Sequence, residues 1–128
     1  MATSTPPAGP TNLGVAPNVG GLLCYLPCCI GLIFSIVVAI VEKQSRFLRF
    51  HAFQSLFFHA AMIVLGIGFQ ILNLVIGMIS GVLALIFSIV VMLLGLVFLA
   101  AQILLMVKAY NNEEYELPTL GQMARKYM

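Results

Sequence analysis

Apolar and polar residues occur along this chain in long blocks. One apolar block of 23 residues covers 19–41, and a second runs for 58 residues, 50–107, without Asp, Glu, Lys or Arg. About 20 apolar residues in a helix cross a hydrocarbon core of ~30 Å, so the second block needs a turn. The stretch 73–81 (NLVIGMISG) holds the Asn, Ser and Gly residues that turns use. The pattern predicts helices at 19–41, with a kink or a late start at Pro27, and at 50–73 and 79–107.

The segments that flank these blocks are polar. Residues 1–18 hold four of the six prolines and no charged side chain, which predicts a disordered tail. Residues 111–128 are predicted to form a cytoplasmic tail with a short helix. A single transmembrane domain, 19–110, lies between them. The composition agrees, because only 8% of the residues are charged, against about 25% in soluble domains.

The positions of the basic residues predict the orientation. Lys and Arg collect in cytoplasmic loops, and three crossings put the 42–49 loop and the C-terminal tail on the same side. That side then holds all six basic residues. A fourth crossing through a turn near 90–94 would move three of them outside, and VVMLL offers no turn residues. We therefore predict an all-α integral membrane bundle of three transmembrane helices, with the N-terminus out and the C-terminus in.

Each predicted crossing carries small or polar residues along one side of its helical wheel. Lipid is as apolar as leucine, so membrane helices associate through small residues and through hydrogen bonds between polar ones. We expect these stripes to face inward or toward a second copy. The predicted packing positions are Gly31, Ser35, Gly66, Gly81, Ser88 and Gly95, and the predicted intramembrane polar positions are His59, Gln70 and Gln102.

Residues that could carry chemistry are few. The sequence has no Ser-His-Asp order, no paired acids within the apolar blocks and no glycine-rich phosphate loop. Cys24, Cys28 and Cys29 lack a fourth ligand nearby, which favours small apolar filling over a metal site. An ionisable residue such as His59 in a membrane helix is a functional candidate, and a neutral imidazole bonded to a neighbouring helix is the alternative. We predict no catalytic residue, no cofactor and no metal.

The stretch 42–55 (EKQSRFLRFHAFQS) alternates basic and aromatic residues at a predicted membrane surface. Its candidate interface or lipid-headgroup residues are Arg46, Arg49, His51 and Gln54. The arginines can reach lipid phosphates, and topology marking by positive charge is the alternative. Because the loop and the tail share a side, we also expect Arg46 or Arg49 to approach the tail within 113–121.

Three motifs carry a resemblance to a family of small prokaryotic membrane proteins of unknown function. They are LCYLP at 23–27, the stretch 42–55, and YNNEEYELPTLG at 110–121. The family is similar to the chloroplast inner-envelope import component Tic-twenty and to magnetosome membrane proteins of the MamF type. The resemblance covers about 18–126. It implies a multi-pass protein of the prokaryotic cell membrane, the inner membrane, with protein translocation as one implied process.

Two functions fit these observations. The first is a non-enzymatic structural or accessory protein in translocation or membrane organisation. Its partners would be the lipid bilayer and other membrane proteins, or itself as a homo-oligomer, and the net charge of +2 indicates no nucleic acid. The second is a small transporter or pore lined by the inward polar stripes. Full burial of the stripes would favour the first function, and a hydrated cavity that reaches His59 would favour the second.

Overall fold

The computed structural model describes residues 13–111, 113, 115, 117 and 120–127. Within this part the chain forms α1 (Pro17–Cys24), α2 (Cys28–Val41), α3 (Arg46–Ile79), α4 (Gly81–Tyr110) and α5 (Leu120–Tyr127). The predicted all-α class is confirmed for these residues. Residues 1–12 of the predicted N-terminal tail lie outside the described part.

Helices α3 and α4 form a long hairpin. They contain 34 and 30 residues, or about 51 and 45 Å at 1.5 Å per residue. Ser80 alone joins them: its backbone N–H donates to Ile76 at 2.9 Å and its hydroxyl accepts from the Leu83 N–H at 3.4 Å. The turn lies inside the predicted stretch 73–81, although α3 continues past residue 73. These are the two described helices long and apolar enough to cross a membrane.

The first predicted helix, 19–41, is not continuous, and the kink or late start expected at Pro27 is a full break. The structure divides it into α1 and α2, separated by residues 25–27, which we call the break. Pro27 is the residue that precedes α2. Proline has no N–H to donate, and its ring clashes with the preceding helical turn. The 14 residues of α2 extend about 21 Å, short of the ~30 Å of a hydrocarbon core.

Helix α1 lies between α3 and α4 and runs parallel to α3. An added Cβ at Gly20 would lie 2.8 Å from the Leu48 side chain, and one at Gly21 would lie 3.1 Å from the Ala109 Cβ. Farther along, the Cys24 carbonyl accepts a hydrogen bond from Ser55. Residues 20 and 24 of α1 thus contact residues 48 and 55 of α3 in the same order, which shows that the two helices run parallel.

Helix α2 returns antiparallel to α3. Its end is bonded to the start of α3, because Arg49 donates to the Ala39 carbonyl at 3.5 Å. Earlier in α2, Ser35 donates to the Cys24 carbonyl at 3.0 Å, the same oxygen that Ser55 contacts. Helices α1 and α2 thus form a helical hairpin whose two ends lie at the same end of the molecule.

This reversal gathers the start of α1, the 42–45 loop and the end of α4 into one region, which we call the polar end. The Asn18 side chain donates to the Tyr110 carbonyl at 3.2 Å, so the two helix ends are neighbours. A bundle with three crossings would place the start of α1 at the opposite end. The structure places it beside the end of α4.

Helix α5 packs back onto α3 near the polar end. It buries Gly121 and Ala124, and the Arg125 guanidinium lies 4.3 Å from the centroid of the Phe50 ring. Glycine and alanine let the two helices approach closely, and the cation–π contact supplements the packing.

The core lies only in the half of the molecule near the polar end. One buried cluster contains Cys24, Val38, Leu48 and Ala52, and a second contains Tyr25, Phe58, Leu105 and Ala109. Beyond residue 62 of α3 and before residue 97 of α4, no other described helix covers the hairpin, and its side chains are mostly exposed and apolar. An exposed apolar surface of this extent is typical of contact with lipid or with another protein.

Gly31 is where α2 approaches the break most closely. An added Cβ there would collide with the Leu26 carbonyl and lie 2.8 Å from the Leu26 nitrogen. We expect Gly31→Ala to destabilise the fold by about 1–3 kcal/mol, since backbone rather than a side chain must move. Gly68→Ala is the matched control, because its Cβ would meet nothing within 4 Å. Thermal unfolding in detergent measures both, and equal melting temperatures would contradict the close approach.

Candidate functional site

The break leaves backbone carbonyls without helical donors, because the last carbonyls of a helix have no partner inside it. Side chains from three other helices supply the donors. Ser35 of α2 donates to the Cys24 carbonyl at 3.0 Å, and Ser55 of α3 contacts the same oxygen. Gln102 of α4 donates through Nε2 to the Tyr25 carbonyl at 2.7 Å. All three donor residues are buried, so the break is sealed by the helices around it.

The Tyr25 side chain extends this network into α3. Its hydroxyl accepts a hydrogen bond from Gln54 Nε2 at 2.9 Å and lies 3.0 Å from His51 Nδ1. The direction of the contact with Nδ1 depends on the tautomer of His51, and Nε2 of the same buried ring has no hydrogen-bond partner among the described residues. The rings of Phe47 and Phe50 flank the imidazole, with centroids at 4.5 and 5.2 Å. Tyr25, His51 and Gln54 are each 0% exposed.

Gln54 also fixes the C-terminal tail. Its Nε2 donates to the Tyr115 carbonyl at 2.8 Å, and its Oε1 accepts from the Leu117 N–H at 2.9 Å. The amide pairs with the backbone of these two tail residues as a neighbouring β-strand would. Both donor hydrogens of Gln54 are used, one by Tyr25 and one by the tail. The Gln54 side chain therefore links the break to the C-terminal tail, where Tyr115 lies 61 residues farther along the sequence.

The 42–45 loop is closed by a buried carboxylate. Glu42 is 0% exposed, and its Oε1 accepts from the backbone N–H groups of Gln44 at 2.8 Å and Ser45 at 3.0 Å. Ser45 is the N-cap of α3, accepting from the Leu48 N–H at 3.2 Å. A Ser N-cap satisfies a donor that the first helical turn leaves free. Glu42 therefore has a structural role in this loop.

The side chain of Arg49, a predicted headgroup residue of α3, contacts the end of α2. Its guanidinium donates to the carbonyls of Glu42 at 2.6 Å and Ala39 at 3.5 Å, capping the end of that helix. Among the described residues no ion pair joins Arg49 or the exposed Arg46 to the tail; the tail residue Glu113 pairs with Lys108 at 2.9 Å. The expected approach of Arg46 or Arg49 to the tail within 113–121 stays a prediction, since Glu114 and Glu116 lie outside the described residues.

The three predicted intramembrane polar residues have different surroundings. Gln102 is bonded to the break. His59 is 8% exposed, and its Nδ1 lies 2.8 Å from the Ser55 carbonyl of its own helix, so the expected bond to a neighbouring helix is not the one observed. Gln70 is exposed on the bare part of the α3–α4 hairpin. Only Gln102 joins helices within the chain.

The predicted packing positions also divide in two. Gly31 and Ser35 lie at the break, where α1 and α2 meet. An added Cβ at Gly66, Gly81 or Gly95 would meet no atom within 4 Å. The exposed Ser88 accepts from Asn73 Nδ2 at 3.1 Å. Packing of this second group against another copy stays a prediction.

A sequence model of the magnetosome magnetite crystal formation protein family, MamF_MmsF, matches residues 11–124. The chain belongs to this family. It is 39% identical over 122 residues to a UPF0132 membrane protein of Methanocaldococcus jannaschii, covering 93% of this chain and 94% of the relative. A UPF0132 membrane protein of Archaeoglobus fulgidus is 35% identical over 109 residues, covering 85% of this chain and 92% of the relative. No solved structure matches.

The family match confirms the expected resemblance to small prokaryotic membrane proteins and to the MamF type. The relatives' description as membrane proteins agrees with the two long apolar helices of this chain, and together they support a membrane location. The further likeness to Tic-twenty does not recur in these matches.

In this MamF_MmsF family member, the three motifs noted in the sequence meet in one network. The LCYLP motif supplies the carbonyls of the break and the Tyr25 hydroxyl. The 42–55 stretch supplies His51, Gln54 and Ser55, and the C-terminal motif supplies the backbone of Tyr115 and Leu117. The motifs therefore describe how the break is built and covered.

Sequence analysis missed Tyr25 and Glu42 as members of the site. The available signal for Tyr25 was Pro27, because a proline inside an apolar segment implies a broken helix whose carbonyls need partners. For Glu42 the signal was a carboxylate three residues before a Ser N-cap. Neither signal identifies the partner atoms, which belong to distant residues.

We expect Gln54→Leu to loosen the tail in this family member. The substitution leaves the Tyr115 carbonyl and the Leu117 N–H without their partner, at a cost of about 1–3 kcal/mol for each group that stays buried. Hydrogen exchange at the Leu117 amide should therefore accelerate. Gln122→Leu, at an exposed position of α5, is the matched control. Unchanged exchange in Gln54→Leu would show that the tail is held by other contacts.

Proposed function

We propose that this protein is a non-enzymatic membrane protein with a structural or accessory role in membrane organisation. The α3–α4 hairpin would anchor it, and the polar end would form a fixed folded unit on one side of the bilayer. The observation that carries the proposal is the use of the buried polar side chains. Tyr25, Gln54, Ser55 and Gln102 bond to the break or to the tail, so they act as supports for the fold.

The dimensions of the hairpin support its role as the anchor. Residues 60–79 of α3 carry no charge and extend about 30 Å, the thickness of a hydrocarbon core. The compact half then lies in the interfacial region on one side. Irregular backbone at membrane depth is tolerated where it is buried in protein, and the break meets that condition because Tyr25 is 0% exposed.

The outer face of α2 is consistent with contact with lipid. Ile30, Ile33 and Ile40 are 60–67% exposed, whereas the inner face of the same helix carries Ser35. An apolar outside around a polar inside is the arrangement expected where hydrocarbon is the solvent. The α1–α2 hairpin would therefore lie in the interfacial region at the polar end, with these side chains toward the acyl chains, and return without crossing the bilayer.

The basic residues give the orientation of this arrangement. All six lie in the 42–49 stretch, at the end of α4 or in α5, so they share the polar end. The positive-inside rule puts that end in the cytoplasm. With two crossings the start of α1 is cytoplasmic too, which replaces the N-terminus-out orientation expected from three crossings.

A transporter or pore is the second candidate. It is favoured by Gln70, Asn73 and Ser88, which face a groove of about 290 Å³ between α3 and α4; several copies would be needed to enclose a path. The half of the molecule near the polar end favours the structural role, because His59 is 8% exposed there and is bonded within its own helix. A role in protein translocation is a further proposal that rests on the Tic-twenty resemblance.

Cysteine labelling tests the anchor. In a background with Cys28→Ala and Cys29→Ala, we expect Ala16→Cys, Gln44→Cys and Gln122→Cys to react with a membrane-impermeant reagent from the cytoplasmic side only. Gly81→Cys at the hairpin tip should react from the opposite side only. Each of these four positions is exposed. Labelling of Ala16→Cys from the side of Gly81→Cys would restore three crossings and contradict the re-entrant hairpin.

Crosslinking in native membranes tests the structural or accessory role. Leakage of a dye from vesicles tests the pore. We expect crosslinked species to contain further membrane proteins or further copies of this chain. Vesicles that hold the purified protein should leak a small-solute dye no faster than vesicles that hold Gln70→Leu. Leakage that depends on Gln70, without crosslinked partners, would favour the pore.

A further inference from the structure

Gln70 is an amide side chain in the middle of the apolar hairpin. It lies about 15 Å from either end of the 60–79 stretch, which places it in the hydrocarbon core if that stretch is the anchor. Its side chain is exposed, and none of the described residues hydrogen-bonds it within the chain. A polar group in hydrocarbon without a partner costs several kcal/mol. Lipid tails offer no partner, so the amide requires a protein group from elsewhere.

The surface around Gln70 is recessed. It forms the groove introduced above, which has a volume of about 290 Å³ and is lined in part by Gly66, Phe69, Phe87 and Ser88. A second recess of about 120 Å³ adjoins it and is lined in part by Gly66 and Gly95. The groove is open because Gly66 and Gly95 have no side chain to fill it. Such positions let the backbone of another helix approach.

Asn73 provides a second amide at the same groove. Its Nδ2 donates to the Ser88 hydroxyl at 3.1 Å, while its Oδ1 is shielded from solvent and has no hydrogen-bond partner among the described residues. Because that oxygen is shielded, it is not open to a partner, whereas the exposed Gln70 amide, about one helical turn away, has free donors and a free acceptor. The groove thus offers both donors and acceptors to a partner.

We propose that a second copy of this chain packs into this groove about a two-fold axis, with the Gln70 amides of the two copies hydrogen-bonded to each other. An amide carries a donor and an acceptor, so it is complementary to its own copy. A two-fold interface brings the same residues of both copies together. Lipid cannot supply these bonds. The proposal rests on the membrane anchor argued above and names its lateral partner.

The first arm of the test measures proximity. The full chain, with Cys28→Ala and Cys29→Ala, is reconstituted in lipid vesicles as Gln70→Cys or as Leu72→Cys. Residue 72 has nearly the same depth but points about 200° away around the helix, and Leu72 is 47% exposed. A short bifunctional thiol crosslinker should yield covalent dimers from Gln70→Cys only. Equal yields, or dimers from Leu72→Cys only, would overturn the groove as the interface.

The second arm measures affinity. Energy transfer between labelled copies, followed on dilution with lipid, gives the dimer Kd. Interhelical hydrogen bonds in membranes average about 0.6 and reach about 1.7 kcal/mol, so Gln70→Leu should raise the Kd roughly three- to twenty-fold. Gln70→Asn keeps an amide and should lose less, and Leu72→Ala is the control. An unchanged Kd in Gln70→Leu would overturn the paired amides.

The labelling of Gly81→Cys separates this proposal from the anchor on which it rests. If Gly81→Cys still reacts from the far side while the Gln70 variants behave as the control, the anchor stands and the dimer through this groove is overturned. Reaction of Gly81→Cys from the cytoplasmic side overturns the anchor and the depth of Gln70 with it. Native-membrane crosslinks from the groove to a different protein, without dimers, also overturn the second copy as its occupant.

Discussion

The structure depends on one constraint: the carbonyls of Cys24 and Tyr25 end a helix in an environment with little water. An unpaired backbone group in such a place costs free energy comparable to a lost hydrogen bond or more. The chain satisfies them with Ser35, Ser55 and Gln102, one from each of α2, α3 and α4. Each donor must reach a fixed point, so the break sets the relative positions of these helices.

The tail and the loop follow from the same constraint. Tyr25 can be buried only if its hydroxyl has partners, and Gln54 and His51 provide them. Gln54 then has a donor hydrogen and its oxygen left over, and the backbone of Tyr115 and Leu117 uses both. The tail is therefore the lid that lets the buried amide be satisfied. If one of these side chains is removed, a buried polar atom of its hydrogen-bond partner is left unpaired.

Much of the fold follows from the sequence, but the path of the first segment does not. The length of the charge-free block requires a hairpin, and the Asn, Ser and Gly residues near its middle locate the turn close to Ser80. Hydropathy, however, measures how apolar a segment is and gives no information on the direction in which the chain runs. Residues 19–41 have the length of a crossing, yet Pro27 ends one helix and allows the next to return. Whether a broken apolar segment continues or reverses is decided by its partners on other helices.

The candidate site was only partly predictable for a related reason. His51, Gln54 and Gln102 stand out as polar residues in apolar surroundings, but their partners are mainly backbone atoms and a tyrosine, which a sequence pattern does not mark. The wheel that groups Gly31 with the inward surface also groups Gly66 and Gly95 there. The structure separates them because α1 and α2 cover only the half of the α3–α4 hairpin near the polar end.

Because α1 and α2 cover only one half of the α3–α4 hairpin, the polar residues of the apolar segments fall into two classes. In the half near the polar end, most buried donors and acceptors are paired within the described chain, with His51 Nε2 and His59 Nε2 as exceptions, and neighbouring helices pack against the small residues. In the far half, Gln70 and one oxygen of Asn73 have no partner in the described chain, and Gly66 and Gly95 face open space. The same physical requirement acts on both halves, because hydrocarbon satisfies neither amides nor carbonyls. Where the chain itself does not meet that requirement, the Gln70 amide is the group that the proposed dimer would pair.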